Sequence, residues 1–442
     1  MTIETLKAIN SVHSDRNKLR SEDRAVHDWY RFVLSFPPHL VRDYLERLGV
    51  GPSDTVLDPF CGTGTTLVEC KKLGIASVGI ESNPMAHFAS LVKVDWSVDA
   101  SALSEFAEGV AVSTQEILDR GGSNEWVGLP LLATKGGTES PMRQLDQEQS
   151  KLLLKDSISP RPLHKTLVLL EEIDRHGDLQ MRQKGRLALA KALTHRIGNL
   201  KFGPEVGLGR IKDDAPVVET WIEGVREIAH DVGLLGNQSQ VASQVLKADS
   251  REASRALEPN SVDAVITSPP YPNEKDYTRT TRLESVVLGL IRDRRELRSL
   301  KQDLIRSNTR GVYKSDTDDL EVSQHPAIQE IATAIERRRI ELGKTSGFER
   351  LYPRVTQLYF GGMARHLASL RPVLRPGARL AYVVGDQASY LRVMIRTGQI
   401  LADLAQSLGY RVVDIDLFRT RPSTVTGEQL REEVVVLKWL GE

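Results

Sequence analysis

A chain of 442 residues with 59 Lys and Arg against 59 Asp and Glu carries no net charge. Any nucleic-acid surface must therefore arise from local segregation of charge, and the length allows one large domain or two to three ordinary ones. Two cysteines, Cys61 and Cys70, exclude a disulfide framework and a four-cysteine metal site, and with no membrane-spanning apolar run and no charged-then-apolar leader a reducing cytoplasm is expected.

Residues 1–20 are polar and expected to fray. Trp29, Tyr30, Phe32 and Phe36 follow closely, either as core or as a wall of a ligand pocket. Residues 40–48 have helical spacing, with Gly49 as a stop. Residues 54–66, DTVLDPFCGTGTT, read as a short strand (Val56, Leu57), a glycine-bearing loop and a helix beginning near Thr65. Gly62 and Gly64 allow a sharp turn and close approach to a ligand, and the helix N-terminus behind them favours a carboxylate. A second strand over 77–80 ends in Glu81, well placed to bind ribose hydroxyls. The loop is not GxGxxG, so a nicotinamide dinucleotide fits poorly.

A helix is expected over 84–94, but the third strand of the core comes only at 244–248. The intervening stretch is mostly helical, with breaks at Gly121-Gly122, Gly136-Gly137 and Pro160 to Pro162, and is too long for a loop. Between Lys151 and Lys212 it holds 13 Lys and Arg against 6 Asp and Glu, which suits phosphate binding or a solvated face. Within it, residues 199–212, flanked by Lys201, Arg210 and Lys212, read as a glycine-rich loop that enters a groove or lies over a target base. An amphipathic helix over 216–232 precedes the third strand.

A fourth strand, Val262, Ala264, Val265 and Ile266, stops at TSPPY, residues 267–271. Pro269 and Pro270 stiffen the bend and leave carbonyls free, Ser268 adds a hydroxyl and Tyr271 an aromatic face. A planar group with an exocyclic NH2 suits that equipment; a tight turn after a core strand is the plain alternative. Asn273, Asp276 and Tyr277 either complete such a pocket or form a solvated turn. Residues 278–314 are expected to be helical, with ten Lys and Arg against four acids, and 330–341 form another basic helix. This second insertion reads as part of a nucleic-acid cleft, a cover over the site or an oligomer contact. The core resumes with a helix over 355–370, a turn at 374–377, a strand over 379–384, a helix over 400–408 and strands at 411–418 and 433–439. The fold expected is α/β, a doubly wound, Rossmann-like sheet of seven strands with a C-terminal antiparallel hairpin and two mainly helical insertions. Its units are a core part to residue 98, insertions 99–243 and 279–352, core strands within 244–278, and the core from 353.

Together, DPFCGTGTT and TSPPY resemble the cofactor loop and catalytic tetrapeptide of the S-adenosylmethionine-dependent DNA amino-methyltransferases. Residues 36–48 resemble the family's helix before the loop, and KADSREA, residues 247–253, the segment whose aspartate contacts the adenine amino group. The resemblance implies S-adenosylmethionine held by Phe36, Asp58, Phe60, Gly62, Gly64, Thr65, Glu81 and Asp249, with Ser268, Pro269, Pro270 and Tyr271 at a flipped base of double-stranded DNA. It requires no metal, and it leaves open whether a restriction or defence-system partner exists. In this family Ser at the first tetrapeptide position goes mainly with cytosine N4, and Asp or Asn with adenine N6. An RNA methyltransferase and a non-catalytic DNA-binding subunit on the same fold are the alternatives. The cofactor segments precede the catalytic one, so the chain is not permuted; its largest insertion, between the second and third strands, departs from the usual layouts.

Overall fold

The computed structural model describes residues 19–31, 35–121, 141–203, 205–235, 240–272, 275–388, 390–422 and 429–441. Phe32, Asn273, the breaks at Gly122 and Gly136-Gly137, and the stretch to residue 18 expected to fray lie outside them. The elements are α1 (Pro38–Arg47), β1 (Thr55–Asp58), α2 (Thr65–Lys72), β2 (Ala76–Ile80), α3 (Pro84–Lys93), α4 (Ala100–Arg120), α5 (Gln147–Ser150), α6 (Pro160–Arg175), α7 (Leu179–Ala192), the hairpin β3 (Leu200–Phe202) and β4 (Val206–Leu208), and α8 (Val217–Leu235). Then come β5 (Ser243–Leu246), α9 (Ala253–Ala256), β6 (Val262–Thr267), α10 (Tyr277–Thr280), α11 (Arg282–Val287), α12 (Arg294–Gln302), α13 (Pro326–Glu341), α14 (Tyr352–Leu370), β7 (Leu374–Gly385), α15 (Thr397–Ser407), β8 (Tyr410–Pro422) and β9 (Gln429–Trp439).

Seven strands form one sheet in the order β5-β2-β1-β6-β7-β9-β8. The first five pair in parallel, while β9 runs antiparallel to both β7 and β8. Alternation along the strands divides the core. Val56, Ala264 and Ile266 pack with Leu40, Val41 and Tyr44 of α1 and Cys70 of α2. Leu57 and Val265 turn to the other face, against Tyr359, Phe360 and Met363 of α14 and Leu401 and Leu404 of α15. Because the chain winds outward from β1 through β2 to β5 and then crosses back to β6, the strand order reverses between β1 and β6. Ligands of such sheets bind at the carboxyl ends of the strands flanking that reversal.

The first insertion is a bundle of α4, α6, α7 and α8 whose core, with Phe106, Leu187 and Trp221, is continuous with Met85, Ala89 and Val92 of α3 and Leu67 and Val68 of α2. Three local expectations are corrected. Residues 374–377 are not a free turn but lie inside β7: Val262 pairs with Leu374 and Ala264 with Arg379, so residues 375–378 bulge out around Gly377 at φ +89°. Residues 199–212 contain a paired hairpin rather than an open loop, with Phe202 opposite Val206. The segment 278–314 is not one helical run. Gly289, at φ +73°, follows α11, and residues 303–308 run without helix after α12 because the Arg306 guanidinium takes up the carbonyls of Lys301 and Leu304 and the carboxylate of Asp316.

Candidate active site

At the carboxyl ends of β1 and β6 the two sequence motifs meet. Thr267, the last residue of β6, donates its hydroxyl to Asp58 Oδ1 at 2.6 Å, and the Phe60 amide donates to the same oxygen at 3.1 Å. Asp58 is fully buried, which pushes its carboxyl up to about 6 against the pull of the Thr267 and Thr66 hydroxyls and the Phe60 amide; its Oδ2 has no partner among the described residues. This carboxylate ties the glycine loop to the TSPPY segment.

The loop then turns through Gly62 (φ +51°) and Gly64 (φ +84°) into α2. A Cβ on Gly64 would stand 3.1–3.3 Å from Ser90 of α3, so close packing adds to the left-handed backbone in requiring glycine. Ser90 donates its hydroxyl to the Gly62 carbonyl at 2.7 Å. The Gly62 amide donates to Glu81 Oε2 at 2.9 Å, and the Asn83 amide to Glu81 Oε1 at 2.7 Å. Burial nevertheless pushes the Glu81 carboxyl up to about 7, with the two amides opposing. Each of its oxygens keeps a lone pair, so a vicinal pair of hydroxyl donors complements this carboxylate.

One cavity of about 730 Å³ spans both motifs. Phe36, Phe60, Gly62, Thr65, Glu81, Ser268, Pro269, Pro270 and Tyr271 all line it, together with Asp276 and Tyr277. Trp29 and Tyr30 do not; they are core residues, with the Trp29 indole on Asp231 and the Tyr30 phenol on Glu284. Asp58 and Gly64 stand behind the wall. Asp249 is also set back: its neighbours Ala248 and Ser250 face the cavity, while the Arg251 guanidinium holds both its carboxylate oxygens at 2.6–3.0 Å.

Ser268 donates its hydroxyl to the Val383 carbonyl at 3.2 Å. The same hydroxyl also bonds the Tyr271 side chain; with its proton on the Val383 carbonyl, its oxygen presents lone pairs as an acceptor. Tyr271 donates its amide to the Tyr277 hydroxyl at 3.4 Å, and its ring lies against Gly385, where an added Cβ would meet Cε2 at 3.1 Å. Burial, then the carboxylate of Glu432, raises its phenol above the usual range. Lys212 is spoken for, donating to the carbonyls of Arg196 and Gly198.

Several lining residues escaped sequence reasoning. Asp303, Ile305 and Asn308 come from the second insertion, Gln387 from beyond β7, and Arg419 and Arg421 from β8. None sits in a motif, and only the pairing of β9 with β7 and of β8 with β9 brings the arginines to the cavity that Tyr271 lines. His366 of α14 supports Phe60, its ring centroid 4.7 Å away. Its Nδ1 donates to the Ser250 carbonyl at 3.0 Å, so its Nε2 accepts from the Tyr382 hydroxyl at 2.8 Å; burial pulls this imidazole down to about 4 and keeps it neutral. The described residues hold no His, Cys, Asp and Glu group suited to a metal and no helix long and apolar enough to cross a membrane.

The cavity suits an elongated group with a carboxylate, a ribose and a planar base. It is within the usual range for ligand pockets, roughly 300–1,000 Å³. It offers a helix N-terminus at Thr65, a carboxylate with spare acceptors at Glu81 and apolar walls at Phe36, Ile80 and Ile305.

The profile of a family described as DNA methylase matches residues 5–90. M.BsoBI, a type II methyltransferase of Geobacillus stearothermophilus, is 25% identical over 447 aligned positions that cover 91% of this chain and 82% of its own. M.AvaI, a type II methyltransferase of Nostoc, is 25% identical over 405, covering 88% and 79%. M.MjaII of Methanocaldococcus jannaschii, also a type II methyltransferase, is 33% identical over 109, covering 24% and 20%. Among solved structures, TrmN from Thermus thermophilus aligns with 91% of this chain and 49% of its own at 12% identity, with a TM-score of 0.26 that is too low to carry an argument.

Proposed function

We propose, from the premise that this chain belongs to the DNA amino-methyltransferase family, that it methylates the exocyclic N4 amine of a cytosine flipped out of double-stranded DNA, with a restriction or related defence system as its setting. S-adenosylmethionine would supply the electrophilic methyl group. The observation that carries the reading is that Ser268 and Tyr271 open onto the same cavity as the glycine loop and Glu81.

On this reading, the first turn of α2 and the Gly62 loop receive the amino-acid carboxylate of the cofactor. Glu81 accepts from the ribose hydroxyls. Ile80 and Ile305 flank the adenine, whose amino group finds a carboxylate acceptor at Asp303, with Asp249 set back and held by Arg251. Ser268 Oγ and the Pro269 carbonyl accept the two hydrogens of the target amine, while the Tyr271 ring stacks on the base. The amine is a weak nucleophile because its lone pair is delocalised into the ring. Two acceptors hold the nitrogen nearer to tetrahedral, aim the lone pair at the methyl group and stabilise positive charge as it develops. The bond of the Ser268 hydroxyl to the Val383 carbonyl, which leaves lone pairs on its oxygen, supports this role. Ser rather than Asp or Asn at this position supports cytosine over adenine.

The test is transfer of isotope-labelled methyl from S-adenosylmethionine to unmethylated DNA by the purified protein. Label should enter DNA, and Ser268→Ala should slow transfer by about 10²–10³, the usual loss for one transition-state hydrogen bond. Label in RNA alone, or in neither, would overturn the proposal.

A further inference from the structure

Beside the main cavity lies a second concavity of about 260 Å³, walled by α10, α11 and α12, by the β3–β4 hairpin and by the segment Leu152 to Ser157. The two share Asp276 and Lys301. Arg279, Arg282, Lys301 and Arg310 line the smaller one, and Asp276 is the one carboxylate among the described residues that do. That carboxylate is already committed, to Lys301 at 2.8 Å and to the amide and hydroxyl of Thr278 at 3.1 and 2.6 Å. Arg282 donates to the Thr278 carbonyl and hydroxyl at 3.1 and 2.8 Å and reaches no described carboxylate. The side chains of Arg279 and Arg310 bond no described residue.

Many cations of the chain are paired, and these arginines have no described carboxylate partner. Elsewhere in the basic insertions, Lys165 pairs with Asp214, Lys184 with Asp95, Arg186 with Asp174, Arg292 with Glu296 and Arg339 with Glu336. Lys201, Arg294, Arg298 and Arg337 also lack a described carboxylate partner, but Arg279, Arg282 and Arg310 are unpaired cations that share one concavity. Burial holds the Arg282 guanidinium below its ordinary value; Asp276 opposes this and neighbouring Arg279 adds to it. An anion between the arginines would relieve both the crowding and the missing hydrogen bonds.

We propose that this concavity binds a backbone phosphate of the DNA strand that carries the target base. The inference rests on the reading that the chain acts on DNA. Arg279 and Arg282 follow Tyr271 by eight and eleven residues, and the two cavities adjoin, so a phosphate held there fixes the strand beside the cavity that takes the extruded nucleotide. The hairpin wall supplies Leu200 and Val206, apolar surface against which a deoxyribose fits. Phosphate contacts of this kind set register and orientation, and the base is read elsewhere.

The test is a salt titration of binding to a fluorescein-labelled duplex of about 30 base pairs, whose slope of log Kd against log salt changes by about 0.9 per phosphate contact. The double variant Arg279→Gln, Arg310→Gln should flatten that slope by about 0.9 and weaken binding roughly fivefold near 0.15 M salt. Its thermal midpoint and its affinity for S-adenosylmethionine should match the wild type, since neither side chain bonds a described residue. A control with the same loss of charge, Arg120→Gln and Arg226→Gln on α4 and α8, should keep the wild-type slope. A wild-type slope in the first variant, or an equal loss in the control, overturns the site. Methyl transfer by the wild-type protein is measured alongside. Transfer to DNA with an unchanged slope in the variant removes the phosphate site and keeps the enzyme. A flattened slope with no transfer keeps the site and removes the enzyme.

Discussion

Gly385 closes β7 directly behind the Tyr271 ring, and the account predicts what a single methyl group there will do. In Gly385→Ala the new Cβ would stand 3.1 Å from Tyr271 Cε2 and 3.3 Å from Glu432 Cγ, where carbon atoms ordinarily rest about 3.5–4.0 Å apart. Glu432 cannot yield easily, because Arg419 holds its two oxygens at 2.6 and 2.8 Å. The ring must therefore move toward the cavity, by about half an ångström to restore ordinary contact. Misplacement by about 1 Å costs on the order of 10²-fold in rate. Half that displacement should lower kcat by about tenfold, or about 1.4 kcal/mol in the barrier. Single-turnover methyl transfer reads the rate, and calorimetry reads the affinity for S-adenosylmethionine. That affinity should stay within about twofold, because the glycine loop and Glu81 lie on other strands. An unchanged kcat, or a cofactor affinity weakened in step with the rate, would refute the reasoning that Tyr271 positions the base.

Glu81 should make cofactor binding pH-dependent. Its carboxyl sits at about 7 without ligand, and hydroxyl donors favour the ionised form, so the bound value is lower. Affinity is then full above pH 7 and falls as pH drops through it, with roughly half a proton released per binding event at pH 7; calorimetry in buffers of different ionisation enthalpy measures that release. Glu284→Gln should stabilise the protein at neutral pH. Glu284 is buried with one unpartnered oxygen, and burial pushes it up to about 7 against the Tyr30 hydrogen bond. A folded value above the unfolded one means that its contribution is complete below about 4.5 and lost as pH rises through 7. The variant's gain should grow over that window to about 1–3 kcal/mol, read as a rising difference in Tm between pH 5 and 8. In Gly361→Ala the new Cβ would stand 1.8 Å from the Asp318 carbonyl oxygen. The segment carrying Asp318, which pairs with Arg251 and Arg365, must lift off α14, with a loss of about 1–3 kcal/mol in chemical denaturation.

Both halves of the site were legible because each is written in contiguous residues with conformational demands of its own. Gly62 and Gly64 turn a loop, Glu81 ends a strand, and Pro269 and Pro270 stop one. The seven-stranded sheet was legible for the same reason, since apolar runs alternate with helical spacing. What could not be read depends on residues far apart in sequence. Nothing local to Arg419 or Arg421 announces that a hairpin at the sheet edge sets them at the cavity that Tyr271 lines. Leu374 to Gly377 has the composition of a turn, and only the register of β7 against β6 absorbs it into a bulge. The surplus of Lys and Arg between 151 and 212 looked like one basic surface. Pairing to Asp214, Asp95, Glu227 and Glu148, together with the backbone carbonyls that hold Lys212, disposes of much of it. Asp249 stood in a recognisable segment, yet Arg251, two residues on, engages its carboxylate.

The central claim is that Ser268 presents an acceptor to the amine of a flipped cytosine. Its most direct test is nucleoside mass spectrometry of DNA from cells expressing the wild-type chain beside cells expressing Ser268→Ala. The account predicts N4-methylcytosine in the first sample and a loss to background in the second. N6-methyladenine in place of N4-methylcytosine, or N4-methylcytosine undiminished in Ser268→Ala, would contradict it.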